Sequence, residues 1–159
     1  MVSTYEVRPI ATVVGGHTRV LDDYQGGVRS IIRLHEEYPL ETLKGIEEFS
    51  HLTVTWRFHL ARPGDVQLHA RSPRGNTRWP ATGTFVHRNH RRPNQLAISY
   101  PRLLNVDGHD LHVTDLDGTP VIDLAPYFQQ MGPRGGVRQP AWPGEMLDAE
   151  HWRDAAERP

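Results

Sequence analysis

The chain reads as an all-β protein: a small closed antiparallel β-barrel of about seven strands, with one short helix and a C-terminal helical tail. Three observations predict this. Fourteen glycines and thirteen prolines in 159 residues suit short strands and tight turns better than a helix bundle. The run 51–60 alternates strictly, with Leu52, Val54, Trp56, Phe58 and Leu60 on one face and His51, Thr53, Thr55, Arg57 and His59 on the other, as a half-buried strand does. Further short β-rich runs follow at turn-punctuated intervals, and closure is the economical way to protect so many strand edges.

The elements follow in order. Residues 7–14 predict a first strand, broken at Gly15-Gly16, and 28–35 a second. Residues 36–48 are polar, with Leu40, Leu43 and Ile46 at three-residue spacing, which predicts one short helix or helical turn. After the 51–60 strand and a Pro63-Gly64 turn come strands at 66–70, 84–87 and 96–104. Asp107-Gly108 separates Leu103–Val106 from Leu111–Val113 at hairpin spacing. Residues 121–124 make one more short strand, and 145–157, with Met146, Leu147 and Trp152, a terminal helix. The expected organisation is a barrel domain over 1–130 and a Gly/Pro-rich linker with helical tail over 131–159.

Composition excludes several classes. There is no cysteine, so thiol chemistry, disulfides and zinc–thiolate sites are out. No apolar run approaches the ~20 residues of a membrane span, and the start lacks a signal-peptide core, so the expected setting is cytoplasmic. A net charge of −1 hides a cluster of Arg71, Arg74, Arg78, Arg88, Arg91 and Arg92 with no acidic residue among them. Such a cluster suits an anionic or carboxylate-bearing partner, or a solvated loop paired with acidic neighbours.

Ten histidines raise a metal hypothesis that spacing argues against. His51 and His59 share a strand face, but at ~3.3 Å per residue they stand roughly 26 Å apart. His109 and His112 fall on opposite faces of a strand, and His87 with His90 supplies only two ligands. Gly-x-Ser-x-Gly, P-loop and Gly-x-Gly-x-x-Gly motifs are all missing. No metal is expected.

Two segments are dense in chemistry. Residues 85–94 run Phe-Val-His-Arg-Asn-His-Arg-Arg-Pro-Asn, where Pro93 biases Arg92 away from helix; the bend would leave a guanidinium and the Asn94 amide free for a planar ligand. Residues 115–127 place carboxylates at a turn before a short strand, which suits a ribose diol or an ammonium group. Ordinary turn chemistry, with Asp and Asn capping their own backbone, explains either segment alone.

Taken together and in order, these segments resemble the TrmO-like family, also called TsaA-like or YaeB-like. Arg8-Pro-Ile10, Leu43-Lys-Gly-Ile-Glu-Glu-Phe-Ser-His51 and Val54-Thr-Trp-Arg-Phe-His59 carry the first half of the likeness. Ser72-Pro-Arg-Gly-Asn76, Arg92-Pro-Asn94 and Asp117-Gly-Thr-Pro-Val-Ile-Asp123 with Pro126-Tyr127 carry the second, and Val137-Arg-Gln-Pro-Ala-Trp142 is a weaker echo. The central family signature is Phe-Ala-Thr-Arg-Ser-Pro-x-Arg-Pro-Asn-Pro-Ile-Gly-Leu-Ser. This chain keeps Phe85, Arg88, Arg92, Pro93, Asn94 and Ser99, but has His87, Asn89, His90, Gln95 and Ala97 for Thr, Ser, Pro, Pro and Gly. Ala125 stands where the family has Lys.

The resemblance implies a β-barrel methyltransferase that binds S-adenosyl-L-methionine near a homodimer interface, without metal or Rossmann domain. Relatives N-methylate threonylcarbamoyladenosine in tRNA; larger ones add a C-terminal domain for which this chain has no room. Carried over, the cofactor would meet Phe85, Arg88, Arg92, Pro93, Asn94, Ser99, Leu116, Asp117, Gly118 and Thr119. Arg88 or Arg92 would hold its carboxylate, Asp117 its ribose or amine, and the 116–119 backbone its adenine. Tyr127 would line the site, and His87 or His90 would take the acceptor's proton. The departures point to a changed acceptor, a nucleoside-like small molecule, with threonylcarbamoyladenosine in tRNA close behind. A non-catalytic barrel that binds S-adenosylmethionine or a partner is the alternative, and a plain nucleic-acid-binding barrel a third.

Overall fold

A computed structural model describes residues 2–15, 27–116 and 119–148. Its strands are β1 (Ala11–Val14), β2 (Arg29–Leu34), β3 (Leu52–Arg57), β4 (Leu96–Ser99), β5 (Arg102–Asp107), β6 (Asp110–Thr114) and β7 (Val121–Pro126). All pair antiparallel in one sheet, in the order β4-β3-β7-β1-β2-β6-β5. Alternation decides what is inside: Leu52, Val54 and Trp56 of β3 are buried with Ala11, Ile32, Ala97, Leu111, Val113 and Val121. The opposite face of β3 carries Thr53, Thr55 and the exposed Arg57. A register shift after Thr55 pairs Trp56 with Val121 while Thr55 faces Asp123, so Ile122 is an inserted bulge residue. β5 and β6 form the expected hairpin, closing with Asp107 opposite Asp110 around Gly108-His109; Gly108, at φ +59°, supplies the left-handed backbone such a turn requires.

The expected closure does not occur: the sheet is not closed into a barrel. The expected strand 96–104 is broken at Tyr100-Pro101 into β4, which pairs with β3, and β5, which pairs with β6. Being consecutive, these two strands end up at opposite ends of the sheet order. A lone bridge between His51 and Arg102 ties the start of β5 to the lead-in of β3. Pro101 has no N–H to extend a ladder, and its carbonyl accepts from the Leu52 N–H at 3.0 Å.

Other expectations shift for local reasons. Only Ala11–Val14 of the 7–14 run is strand, although the Ile10 N–H reaches the Val121 carbonyl at 2.9 Å. Residues 66–70 and 84–87 are not strands: 3₁₀ turns occupy Pro63–Asp65 and Thr84–Val86, and only an Arg71–Thr82 bridge forms nearby. Their β-rich composition alone does not place them in the sheet. The 36–48 helix is two 3₁₀ turns, Leu40–Leu43 and Ile46–Glu48, divided by Gly45 at φ +86°. Leu43 and Ile46 face the core and Leu40 does not. The terminal helix α1 spans Ala141–Asp148 and starts earlier than expected; the part expected at 149–157 lies outside the described residues. Pro143 is tolerated there because first-turn N–H groups have no helical partner. Among the described residues no helix is long and apolar enough to cross a membrane.

Candidate functional site

β3 brings the two chemistry-rich segments together. At its C-terminal end the Arg57 N–H donates to the Pro120 carbonyl and the Phe58 N–H to the Gln95 carbonyl, both at 3.0 Å. The Arg-Pro-Asn segment and the Thr119-Pro120 segment therefore flank one strand end, about 10 Å apart at two strand spacings.

On the β4 side, Arg92–Gln95 is a β-turn closed by the Gln95 N–H on the Arg92 carbonyl at 3.0 Å. Pro93 holds the second position, which its fixed φ favours. Pro93 and Asn94 are exposed at the tip. Gln95 is buried at φ +53°, and its Nε2 donates to the Arg62 carbonyl at 2.8 Å. On the β7 side, Thr119 Oγ1 accepts from the Val13 N–H at 3.2 Å. Leu116 is fully buried and its carbonyl accepts from Ser30 Oγ at 2.6 Å. Asp117 and Gly118 lie outside the described residues.

The signature arginines turn toward the sheet edge. Because Gln95 and Ala97 pair with Phe58 and Trp56, the carbonyls of Leu96 and Ile98 point away from β3, along the outer edge of β4. Arg92 donates to Leu96 O, and Arg88 to Ile98 O at 2.7 Å; Arg92 Nε also reaches the Asn89 carbonyl at 3.2 Å. The Arg92 guanidinium is thus held by main chain, not left free as the bend suggested. Two cations cap a strand edge that barrel closure would otherwise have covered. Arg71 gathers the loop behind them, donating to Gln67 O at 3.3 Å, Thr84 Oγ1 at 3.4 Å and Asn89 Oδ1 at 3.4 Å. Partial burial, then the neighbouring Arg91 charge, lowers its pKa from the ordinary arginine value.

The remaining candidates are dispersed. Phe85 is 80% exposed. His87 is buried, with Nε2 3.2 Å from the Thr82 carbonyl and 3.1 Å from Thr82 Oγ1. A carbonyl only accepts, so Nε2 is the donor in that contact. The His87 ring faces Trp142 at 6.4 Å, and His90 meets the edge of Phe58 at 5.9 Å. Ser99 points into the core and accepts from Trp56 Nε1 at 2.9 Å. Tyr127 sits at the far end of β7: its N–H donates to the His51 carbonyl at 2.9 Å and its ring meets Tyr100 at 5.4 Å. At ~3.3 Å per residue this is about 23 Å along the strand from Pro120, so one copy of the chain does not bring Tyr127 to the turns. Among the described residues no group of three or more His, Asp or Glu has the arrangement to hold a metal ion.

Sequence reasoning missed the organising roles of Arg71, Gln95 and Trp142. Arg71 lay in the arginine cluster and Trp142 in the weakest matched segment, whereas nothing in the sequence signals the left-handed backbone of Gln95.

An all-antiparallel open sheet, with the Arg92–Gln95 turn and the Thr119-Pro120 segment flanking the end of its third strand, defines a small β-domain. Residues 22–132 match the model of the tRNA-methyltransferase O N-terminal domain, and the chain belongs to that family. It is 35% identical to a probable S-adenosyl-L-methionine-binding protein of Methanothermobacter thermautotrophicus, over 67% of this chain and 74% of that one. It is 38% identical to a tRNA (adenine(37)-N6)-methyltransferase of Escherichia coli, over 55% of this chain and 40% of that enzyme. The crystal structure of TrmO from Pseudomonas aeruginosa superposes with a TM-score of 0.64 at 25% identity, covering 86% of this chain and 62% of that one. The chain spans from 21% to 52% of the length of several curated relatives it matches.

Proposed function

We propose that this domain binds S-adenosylmethionine and transfers its methyl group to a nucleoside nitrogen, with adenine 37 of tRNA as the acceptor to test first. The observation that carries the reading is the convergence of both family motifs on one end of β3, in a chain that belongs to the family.

The residues present fit the cofactor. Asn94 stands exposed at one turn tip, and Arg57 and Asp123 are both exposed on the outer face of β3 and β7. A cation and a carboxylate on one face match the zwitterionic amino-acid end of the cofactor. Thr119 and the main chain at 116 border the adenosine side. When bound, the cofactor supplies an electrophilic methyl carbon on a sulfonium. The chain's contribution is alignment, the larger part of what such a transfer requires. Arg88 and Arg92 brace the β4 edge, which fixes the Pro93-Asn94 tip. His87 or His90, on the same loop, would take the acceptor's proton.

A second copy of the chain completes this reading. Ile98, Tyr100 and Tyr127 are 42%, 54% and 37% exposed at the β4–β7 side of the sheet, and a homodimer over that face would bring a second Tyr127 toward the turns. With a tRNA acceptor, a cytoplasmic setting is part of this proposal.

Calorimetric titration with S-adenosylmethionine, on wild type and Asn94→Ala, tests the first half; binding that weakens in the variant is expected. Incubation with labelled cofactor and bulk tRNA or small-metabolite extract tests the second. Label in tRNA supports the reading. Label only in metabolites moves the acceptor to a small molecule, and no label anywhere leaves the non-catalytic binding domain.

A further inference from the structure

Among the described residues three that are not glycine have a positive φ: Arg74, Gln95 and Asp115. Asp tolerates left-handed backbone because its short side chain bonds locally, and the Asp115 carboxylate accepts from Thr114 Oγ1 at 2.7 Å. Arg74 is exposed on its turn. Gln95, at φ +53° and 3% exposed, has neither a short side chain nor an open surface. A residue persists in such backbone only where its surroundings over-determine it. The Gln95 N–H donates to the Arg92 carbonyl and the Phe58 N–H to the Gln95 carbonyl, each at 3.0 Å. Gln95 Nε2 then crosses to another loop and donates to the Arg62 carbonyl at 2.8 Å. That loop is itself ordered, since the Asp65 N–H shares the Arg62 carbonyl at 3.0 Å and Asp65 Oδ2 accepts from the Arg62 N–H at 2.8 Å. The Gln67 N–H donates to the Arg91 carbonyl at 3.1 Å, so residues 62–67 are strapped to 91–95 at two points.

We propose that Gln95 is the positioning residue of the cofactor turn: its left-handed backbone aims the exposed Asn94 tip, and its buried amide, latched to the 62–67 loop, keeps the tip aimed. The inference rests on the methyl-transfer reading, in which Asn94 meets the cofactor, and deepens it by naming what fixes that contact. Left-handed backbone directly after Asn94 sets where the tip points relative to β4, which begins one residue later at Leu96. Without the amide bond that backbone loses a support, and the tip samples other directions. Proline, the residue of the family signature at this position, holds φ at about −65° and has no N–H for the Arg92 carbonyl. This chain therefore sets its turn by a means that proline does not supply.

Wild type, Gln95→Gly, Gln95→Glu and Gly108→Ala are titrated with S-adenosylmethionine by calorimetry, at a temperature where circular dichroism shows each one fully folded. Glycine accepts the left-handed backbone and loses only the latch, so Gln95→Gly should bind about three- to tenfold more weakly, the scale of one hydrogen bond. A carboxylate has no proton to donate to the Arg62 carbonyl, whereas a carboxylic acid has one. Burial favours that acid form, so the deficit of Gln95→Glu against wild type should be largest at about pH 8 and narrow toward about pH 5. Gly108→Ala strains a left-handed turn outside the site and should keep wild-type affinity, which separates aiming from general stability. Wild-type affinity in Gln95→Gly, a Gln95→Glu deficit that ignores pH, or an equal loss in Gly108→Ala overturns the proposal. A wild type that does not bind the cofactor sinks the methyl-transfer reading itself, and this role of Gln95 with it.

Discussion

Ser99 distinguishes a core role from a ligand-binding one. Its hydroxyl accepts the Trp56 indole N–H at 2.9 Å, with Trp56 3% and Ser99 7% exposed. Ser99→Ala strands that N–H where water cannot reach it. A buried donor without a partner costs about 1–3 kcal/mol. In a chain of this length each kcal/mol lowers Tm by about 2–4 °C. Urea unfolding of wild type, Ser99→Ala, Trp56→Phe and the double variant measures the coupling. In the Trp56→Phe background no donor is left to strand, so Ser99→Ala should cost far less there, and the cycle should return an interaction of about 1 kcal/mol or more. Cofactor affinity of Ser99→Ala should match wild type. A Ser99→Ala protein within about 0.5 kcal/mol of wild type, the range of ordinary surface changes, that has lost cofactor binding would refute the reasoning and make Ser99 a ligand residue.

Gly108→Ala, at φ +59° in the β5–β6 turn, should cost roughly 1–2 kcal/mol in urea unfolding, because a Cβ is disfavoured in left-handed backbone. Arg71→Ala should lower stability by about 2 kcal/mol, the scale of a hydrogen bond to a charged group. It should also raise protease cleavage within 67–91, where Arg71 ties three segments together. Arg88→Ala uncovers the Ile98 carbonyl on the β4 edge, so light scattering should show larger assemblies with rising concentration. Asp110 is held below the usual carboxylate pKa, first by its hydrogen bond from Arg33, against a smaller upward push from burial. That stabilisation is present above the unfolded value of ~3.9 and is lost as pH falls through the lowered folded value. The stability gap between wild type and Asp110→Asn should therefore be flat well above the unfolded value and shrink as pH falls below it, and be small throughout because the pair is exposed.

What the sequence determined by itself is what local chemistry can write. Strict alternation from Leu52 to Trp56 fixes which face of β3 is core, since side chains alternate whatever the strand pairs with. Asp107-Gly108 fixes the hairpin, because few residues accept a left-handed turn. Ordered short motifs fix the family, since each turn needs its own residues. Tertiary structure alone decided the rest. Closure depends on where β4 and β5 find neighbours, and Pro101 sent them to opposite ends of the sheet order, so barrel and open sheet read alike in composition. The β-rich runs at 66–70 and 84–87 stayed out of the sheet, since β-propensity depends on tertiary context more than on the residues themselves. Arg88 and Arg92 looked like anion ligands in the sequence, but their guanidinium groups found the nearest unpaired carbonyls, and those are defined only once β4 has paired with β3. Tyr127 joined the motif by chain order and was carried to the far end of β7 by the strand's own length. Residue type limits what a side chain can bind, and long-range pairing of the backbone selects which of those partners it meets.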